Sequence, residues 1–147
     1  MKLGTGAVEI KSGYGLTPES EMKMLKVIKT LASSYPITIK ATFLGAHAFP
    51  SDFKDKPDDY VKLICEEMIP QVAAQHLAEF IDVFCEKGYF NVEQTEKILI
   101  TGKKFGLIPK IHVNQFNSIG GVQIGVMNKA LSVDHLEIMK QEDIDVL

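Results

Sequence analysis

Short runs of β-forming residues alternate with longer helical segments along the whole chain, and this alternation most limits the folds that the sequence can adopt. The predicted strands cover residues 5–11, 37–44, 80–85, 110–113 and 130–133. Helices are predicted over residues 17–33, 58–75, 91–105 and 120–127, and a further one begins at Glu142. Strands that are joined by helices are usually parallel and connected by right-handed crossovers. The sequence therefore predicts an α/β fold, either an open doubly wound sheet or part of a (β/α)8 barrel.

The helix ends carry recognisable start and stop residues. Thr17 is the predicted N-cap of the first helix, with Pro18 in its first turn. Asn91 begins a later helix that Gly106 ends, because glycine readily takes the left-handed conformation that follows a helix. Pro70 lies inside the second predicted helix and should kink or divide it.

Polar residues recur at alternate positions of the predicted strands. Parallel strands that are covered on both faces are usually continuous apolar runs, so this pattern favours a barrel whose interior is partly polar. For Lys40 and Lys110, exposure at a strand end explains the charge equally well. Glu9 and Asp82 lie within or beside apolar runs and favour the interior. The polar set comprises Glu9, Lys11, Thr38, Lys40, Thr42, Asp82, Lys110 and His112.

Composition limits the class of protein. With 147 residues, of which 46% are hydrophobic and 24% charged, residues 1–147 are expected to form one globular domain. The net charge of -3 leaves no basic stripe for nucleic acid. A long apolar run and a signal-like amino terminus are both lacking, so no membrane partner and a cytoplasmic location are expected. Cys65 and Cys85 lie too far apart for a CxxC motif and are expected to be free thiols.

Three of the four histidines, His47, His112 and His135, lie at or just beyond the carboxyl end of a predicted strand. In parallel α/β folds ligands and catalytic groups gather at that edge. Imidazole can bind a metal ion and carry a proton near neutral pH, so this pattern suits metal-assisted hydrolysis. A single histidine is more often structural, and we interpret His76, inside a helix, in that way.

The other loops at this edge contain further polar side chains. Gly13 and Gly15 flank Tyr14, and they either aim its phenol into a pocket or simply form a glycine turn beside a packing tyrosine. Gln115 follows His112 by three residues. After the third strand, Cys85 is expected to be buried, and Glu86 is a candidate for orienting a neighbouring group.

Five blocks of sequence resemble those of the imidazolonepropionase family of metal-dependent amidohydrolases, in the same order along the chain. They are residues 9–16 (EIKSGYGL), 43–47 (FLGAH), 82–86 (DVFCE), 110–112 (KIH) and 132–136 (SVDHL). The resemblance implies a (β/α)8 barrel, one zinc or iron ion, and hydrolysis of 4-imidazolone-5-propanoate to N-formimidoyl-L-glutamate.

The resemblance also implies roles for five residues. His112 is expected to ligate the metal, and His135 to act in catalysis near the metal-bound water. Tyr14 and His47 are expected to contact substrate. Gln115 falls where the family places a carboxylate or amide beside the imidazolone ring, so substrate binding or catalysis is expected of it. An amide cannot accept a proton as a general base would, so hydrogen bonding is the safer role.

The resemblance further implies a His-x-His pair and an aspartate as metal ligands, and the chain contains no His-x-His sequence. A catalytic zinc takes about three protein ligands, and a complete barrel about 250 residues. We therefore expect this chain to be the central part of a longer enzyme. Alone it should be inactive, bind little metal, and self-associate or oligomerise through open sheet edges. Two alternatives stay open: a non-enzymatic βα domain that binds an imidazole-like acid or a protein, and another cyclic amidohydrolase.

Overall fold

The computed structural model describes residues 2–147, in which parallel strands curl into part of a barrel with helices outside. The strands are β1 (Ala7–Lys11), β2 (Thr38–Ala46), β3 (Phe80–Cys85), β4 (Ile108–Pro109), β5 (Ile111–Val113) and β6 (Val133–His135). The helices are α1 (Pro18–Ser34), α2 (Pro57–Leu63), α3 (Ile69–Ala74), α4 (Val92–Lys104), α5 (Gly121–Met127) and α6 (Gln141–Ile144). The order across the sheet is β1-β2-β3-β5-β6, with β4 also paired to β3. All neighbouring pairs are parallel, which confirms the predicted partial barrel.

Strands β4 and β5 are two parts of one extended segment. β4 pairs with the beginning of β3, and β5 pairs with its end. Between them, the amide of Lys110 donates to the carbonyl of Ile81 at 2.8 Å, so the segment stays beside β3 throughout. The predicted strand 110–113 is correct in place but begins two residues too late.

The last strand was predicted at residues 130–133, but β6 spans Val133–His135. The chain leaves α5 through Lys129, whose φ is +55°, and the amide of Ala130 donates to Gly125 as part of this turn. Pairing with β5 begins only at Val133, opposite Ile111. The apolar residues Ala130 and Leu131 suggested an earlier start, because a sequence window does not show that the helix-ending turn includes Ala130.

The predicted helix ends are confirmed. Thr17 caps α1, where its hydroxyl accepts from the amide of Ser20 at 3.2 Å. Asn91 caps α4 and exchanges hydrogen bonds with Gln94 in a capping box. Gly106 follows α4 with a φ of +83°.

Pro70 divides the second predicted helix, as expected. A five-residue π turn, Ile64–Met68, separates α2 from α3. The amide of Ile69 donates to the carbonyl of Ile64, five residues earlier, instead of the usual four. A proline ring has no amide hydrogen and clashes with the carbonyl four residues before it, so widening the turn relieves that clash.

The hydrophobic core lies between the outer face of the sheet and the helices. On β3, Ile81 and Val83 face the helices, and a Cβ on Gly102 of α4 would lie 2.6 Å from a methyl group of Ile81. Asp82, between them, contacts Lys11 of β1 and His112 of β5. The inner face of the curled sheet is therefore polar. Within residues 2–147, no helix is both long and apolar enough to cross a lipid bilayer.

Candidate active site

Five rings form a row along the carboxyl ends of the strands. The centroids of Tyr14 and His47 are 5.0 Å apart, and those of His112 and His135 are 5.1 Å apart. Phe84 lies between the two pairs, 6.0 Å from His47 and 6.5 Å from His112. The structure thus brings four of the predicted site residues to one rim, with a phenylalanine among them.

His47 directly follows the last residue of β2 and has one ring nitrogen occupied. Its Nδ1 lies 3.2 Å from the carbonyl oxygen of Gly13. Because a carbonyl oxygen only accepts hydrogen bonds, we assign the proton to Nδ1. The Nε2 atom is then left to bind a ligand.

The loop that carries Tyr14 depends on glycine. Gly13 has a φ of +108°, and a Cβ there would lie 2.6 Å from the carbonyl oxygen of Leu44, so no larger residue fits. The amides of Gly13 and Gly15 donate to the buried carboxylate of Glu21 at 2.8 Å and 2.7 Å. Tyr14 itself is 73% exposed and meets His47 edge to face. Of the two interpretations of this turn, the geometry favours the one in which the glycines present Tyr14 at the rim.

A network of charged side chains lies below the row of rings. Lys11 Nζ is 2.8 Å from Glu9 Oε1 and 2.8 Å from Asp82 Oδ2. The other oxygen of Glu9 accepts from Lys110, and the hydroxyl of Thr42 also donates to Glu9. The alternating polar pattern of the strands therefore does correspond to the barrel interior.

Lys40 and Lys110, for which the sequence left two interpretations, differ in the structure. Lys40 is exposed and pairs with the exposed side chain of Glu79 at 2.7 Å. Lys110 is buried and belongs to the interior network through Glu9. Exposure at a strand end explains Lys40 but not Lys110.

The pKa shifts in this network keep its carboxylates and its lysine charged. Burial alone would raise the pKa of Glu9, but hydrogen bonds from Lys11 and Lys110 outweigh it and lower that pKa from 4.5 to about 2. Burial would also raise the pKa of Asp82, and the hydrogen bond from His112, together with the charge and hydrogen bond of Lys11, lowers it instead. The pKa of Lys11 is raised, because its two carboxylate partners outweigh the effect of burial. These three groups are therefore ionised at neutral pH.

His112 is oriented by a fully buried carboxylate. Its Nδ1 lies 3.0 Å from Oδ1 of Asp82 and 4.0 Å from Oδ2 of Asp134. A carboxylate oxygen accepts, so Nδ1 carries the proton and the lone pair lies on Nε2. Metal-bound histidines typically donate their second ring nitrogen to a carboxylate in this way. The geometry thus leaves Nε2 of His112 suited to bind a metal.

The donor set at this point fits part of a metal centre. Asp82, His112 and Asp134 each place one possible ligand atom within 4.8 Å of the others. Both oxygens of Asp82 already accept, from His112 and from Lys11, so we regard Asp82 as an orienting group. Imidazole nitrogen and carboxylate oxygen suit a divalent zinc or iron ion. A catalytic zinc takes about three protein ligands, so this cluster, within residues 2–147, supplies only part of the set.

His135 ends β6 in an unusual backbone conformation. Its φ is +81° and that of Leu136 is +59°, values that cost non-glycine residues energy and are often found at functional sites. The amide of Leu136 donates to the carbonyl of Val113 at 3.3 Å, which fixes the turn to β5. The Nδ1 atom of His135 lies 3.4 Å from Oε1 of Glu137, and its side chain is partly exposed. The ring is therefore accessible from the open side of the rim.

Gln115 lies in a loop that is anchored on both sides. Before it, the buried Asn114 has a φ of +55° and donates to Asp143 at 3.0 Å. After it, the amide of Phe116 donates to Oε2 of Glu86 at 2.9 Å. Gln115 itself is half-buried. It lies two residues after the end of β5, the strand that carries His112, and is not part of the row of rings.

One histidine and both cysteines, for which the sequence predicts no functional role, are not part of the row of rings. His76 is exposed at the end of α3. Cys65 and Cys85 are buried and free, and burial raises the pKa of Cys85 to about 11. Neither thiol is therefore expected to ionise at neutral pH.

Two residues of the site were not identified from the sequence. Phe84 separates His47 from His112, yet a phenylalanine in an apolar strand looks like an ordinary core residue. Glu21 organises the Tyr14 loop from within α1, where an acidic residue in the first turn is common for other reasons. Only the fold shows that either side chain faces the site.

Comparison with known proteins found close relatives over the whole chain, although no family model matches. The imidazolonepropionase of Flavobacterium johnsoniae is 66% identical over 147 residues, which are all of this chain and 36% of that protein. That of Christiangramia forsetii is 62% identical over the same length. That of Shouchella clausii is 50% identical over 133 residues, or 90% of this chain and 30% of the relative. The chain thus spans about a third of the length of the curated relatives it matches.

Proposed function

We infer that the chain belongs to the imidazolonepropionase family, and we propose that the protein carrying it hydrolyses 4-imidazolone-5-propanoate to N-formimidoyl-L-glutamate. Identity of 62% to 66% over all 147 residues to proteins of that name supports the family. The observation that carries the chemistry is the rim, where His112, backed by Asp82, stands beside His135. A parallel barrel whose functional groups stand at the carboxyl ends of its strands is a suitable scaffold for this hydrolysis.

We propose that Nε2 of His112 is one ligand of a zinc or iron ion, with Asp82 holding the ring in place. The family resemblance implies that a histidine pair and an aspartate, outside this sequence, supply the other ligands. When bound, such an ion lowers the pKa of a water molecule and polarises the ring carbonyl. Within this chain, Asp82 has the supporting task of keeping the proton on Nδ1 and the lone pair on Nε2.

His135 is proposed as the proton-transfer group. Hydrolysis of the cyclic amide breaks its carbon–nitrogen bond, and the departing nitrogen has to receive a proton. An imidazole titrates near neutral pH and is suited to deliver that proton after taking one from the attacking water. The partial exposure of His135 and its ring-to-ring distance of 5.1 Å from His112 are consistent with this role.

Tyr14, His47 and Gln115 are proposed to bind and orient the substrate. The phenol of Tyr14 and the amide of Gln115 each both donate and accept hydrogen bonds, as a ring with N–H and carbonyl groups requires. The hydrogen bond to Gly13 uses only Nδ1 of His47, so Nε2 is available to bind the substrate. Gln115 is assigned hydrogen bonding to the ring or to water, since its amide cannot take a proton as a base.

We also propose a cytoplasmic location and self-association of this segment. The free, buried Cys65 and Cys85 suit a reducing compartment, in which disulfides are rare. The sheet order leaves β1 and β6 at its two ends, each with one strand partner within residues 2–147. Unpaired strand edges readily pair with another chain, so association through these edges is expected wherever they are uncovered.

The test is an assay of the full-length protein that carries this sequence. Purified protein should consume imidazolonepropanoate and release N-formimidoylglutamate, and chelation should abolish turnover until zinc or iron is restored. Hydrolysis of another cyclic amide in preference would instead identify a different cyclic amidohydrolase. Tight binding of an imidazole-like acid without turnover, by protein loaded with metal, would support the non-enzymatic alternative and refute this proposal.

A further inference from the structure

We propose that Glu21 and Glu86 are positioning residues, buried carboxylates that hold the loops of Tyr14 and Gln115 in the geometry needed for substrate. The inference rests on the proposed function, since it assumes that these two loops contact substrate. Glu21 belongs to α1, and Glu86 directly follows β3. The hydrogen bonds of both carboxylates go to loop groups and not to a ring of the row, so each would act through the loop that it anchors.

Glu21 binds the backbone on both sides of Tyr14. Its Oε2 accepts from the amide of Gly13 at 2.8 Å, and its Oε1 accepts from the amide of Gly15 at 2.7 Å. Oε1 also accepts from Leu16 at 3.2 Å, where the backbone has a φ of +59°. Both oxygens are therefore used, and the residue between the two donors is the one predicted to contact substrate.

Glu86 binds the backbone that follows Gln115. Its Oε2 accepts from the amides of Phe116 and Asn117 at 2.9 Å and 3.2 Å. Its Oε1 accepts from the side chain of Asn117 at 3.0 Å and from the amide of Lys87 at 2.8 Å. Four donors thus surround this carboxylate and join the loop after β5 to the end of β3.

The partners of these carboxylates show what their burial achieves. Glu21 is fully buried and Glu86 is 1% exposed, yet within residues 2–147 neither lies in an ion pair with a lysine, arginine or histidine. Burying an uncompensated carboxylate costs free energy, and here only N–H donors offset it. An apolar residue in the same space would leave the N–H donors of these loops without an acceptor. What the carboxylates add is a fixed loop conformation beside the substrate.

Replacement by glutamine is a sharp test because it keeps the shape and removes half of the acceptor function. An amide has one oxygen and one NH2 group, and the NH2 group would face N–H donors that now meet a carboxylate oxygen. For Glu86→Gln and Glu21→Gln we expect kcat/KM of the full-length enzyme to fall by about tenfold to a hundredfold. The matched control is Glu79→Gln, which changes an exposed glutamate paired with Lys40 and should leave kcat/KM unchanged.

Double-mutant cycles separate positioning from general destabilisation. If Glu86 acts through Gln115, Glu86→Gln should have little further effect on kcat/KM in a Gln115→Ala background. If Glu21 acts through Tyr14, Glu21→Gln should likewise have little effect once Tyr14→Phe is present. Additive losses in both cycles, or losses that merely follow a fall in thermal midpoint, would overturn the proposal.

A second measurement does not depend on the substrate. Hydrogen exchange at the amides of Gly13, Gly15, Phe116 and Asn117 should be slow in the wild-type protein. Each glutamine variant should speed exchange in its own loop and leave the other loop protected. Fast exchange in the wild type would refute the anchoring itself. Normal anchoring in a protein with no imidazolone turnover would instead refute only the proposed function.

Discussion

The Nδ1 atom of His112 lies 3.0 Å from Oδ1 of Asp82, and the other oxygen of that carboxylate lies 2.8 Å from the ammonium group of Lys11. The same lysine binds Glu9, which in turn binds Lys110. The proposed metal-binding histidine thus stands at the end of a series of alternating charges that joins β1, β3 and β5. A substitution within this series of charged residues should affect the rim by changing the orientation of His112.

Asp82→Asn should weaken metal binding. An asparagine can still accept a hydrogen bond, but it removes the negative charge that holds the proton on Nδ1 of His112 and leaves Lys11 with one partner fewer. Loss of such an orienting group typically costs about tenfold to a hundredfold in metal affinity. Competitive chelator titration of the full-length protein measures this. Asp52→Asn is the matched control, because Asp52 is exposed, accepts a hydrogen bond from the hydroxyl of Ser51 and should leave metal affinity unchanged. Equal effects of the two changes would contradict the assignment of Asp82.

Lys11→Met should destabilise the protein. Methionine keeps most of the side-chain length but leaves Glu9 and Asp82, two carboxylates in the barrel interior, without the cation between them. Removing one member of a buried ion pair costs about 3 kcal/mol or more, and because the side chains of Lys11 and Glu9 are 23% and 27% exposed we expect about 1 to 3 kcal/mol. The free energy of unfolding in urea is the measurement. Lys40→Met, at the exposed pair with Glu79, should cost less than about 1 kcal/mol.

The stability of the protein should fall in acid partly through Glu9. The pKa of Glu9 is lowered in the folded state from 4.5 to about 2, so its contribution is fully present above pH 4.5. That contribution is lost progressively as the pH falls toward 2, because protonation then favours the unfolded chain. Urea midpoints measured from pH 6 to pH 2 should fall less steeply for Glu9→Gln than for the wild type. Parallel curves would show that Glu9 carries no such linkage.

Much of the fold could be predicted because local sequence and tertiary structure agree. Thr17 and Asn91 begin helices, and Gly106 ends one, for reasons that act within a few residues. Pro70 divides its helix for the same kind of reason. The start of β6 could not be predicted in this way. It depends on a turn after α5 and on pairing with β5, and neither is visible in a short window.

The site could be predicted only in part. His47, His112 and His135 were found because a polar residue at the end of an apolar strand is unusual, and the fold brings their rings to one rim. Phe84 and Glu21 have no such contrast with their neighbours. Each becomes part of the site through residues distant in sequence, such as the contact of Phe84 with His112. Pairing across strands is information that one sequence does not contain.

His135→Gln should lower kcat with little change in KM. Glutamine retains hydrogen bonding but cannot carry a proton between water and the departing nitrogen, so the loss should be about a hundredfold to ten-thousandfold. Steady-state kinetics of the metal-loaded, full-length protein measures the change in kcat and in KM. His76→Gln is the control, since His76 is exposed at the end of α3 and should be silent. A loss expressed mainly in KM would assign His135 to substrate binding instead of proton transfer.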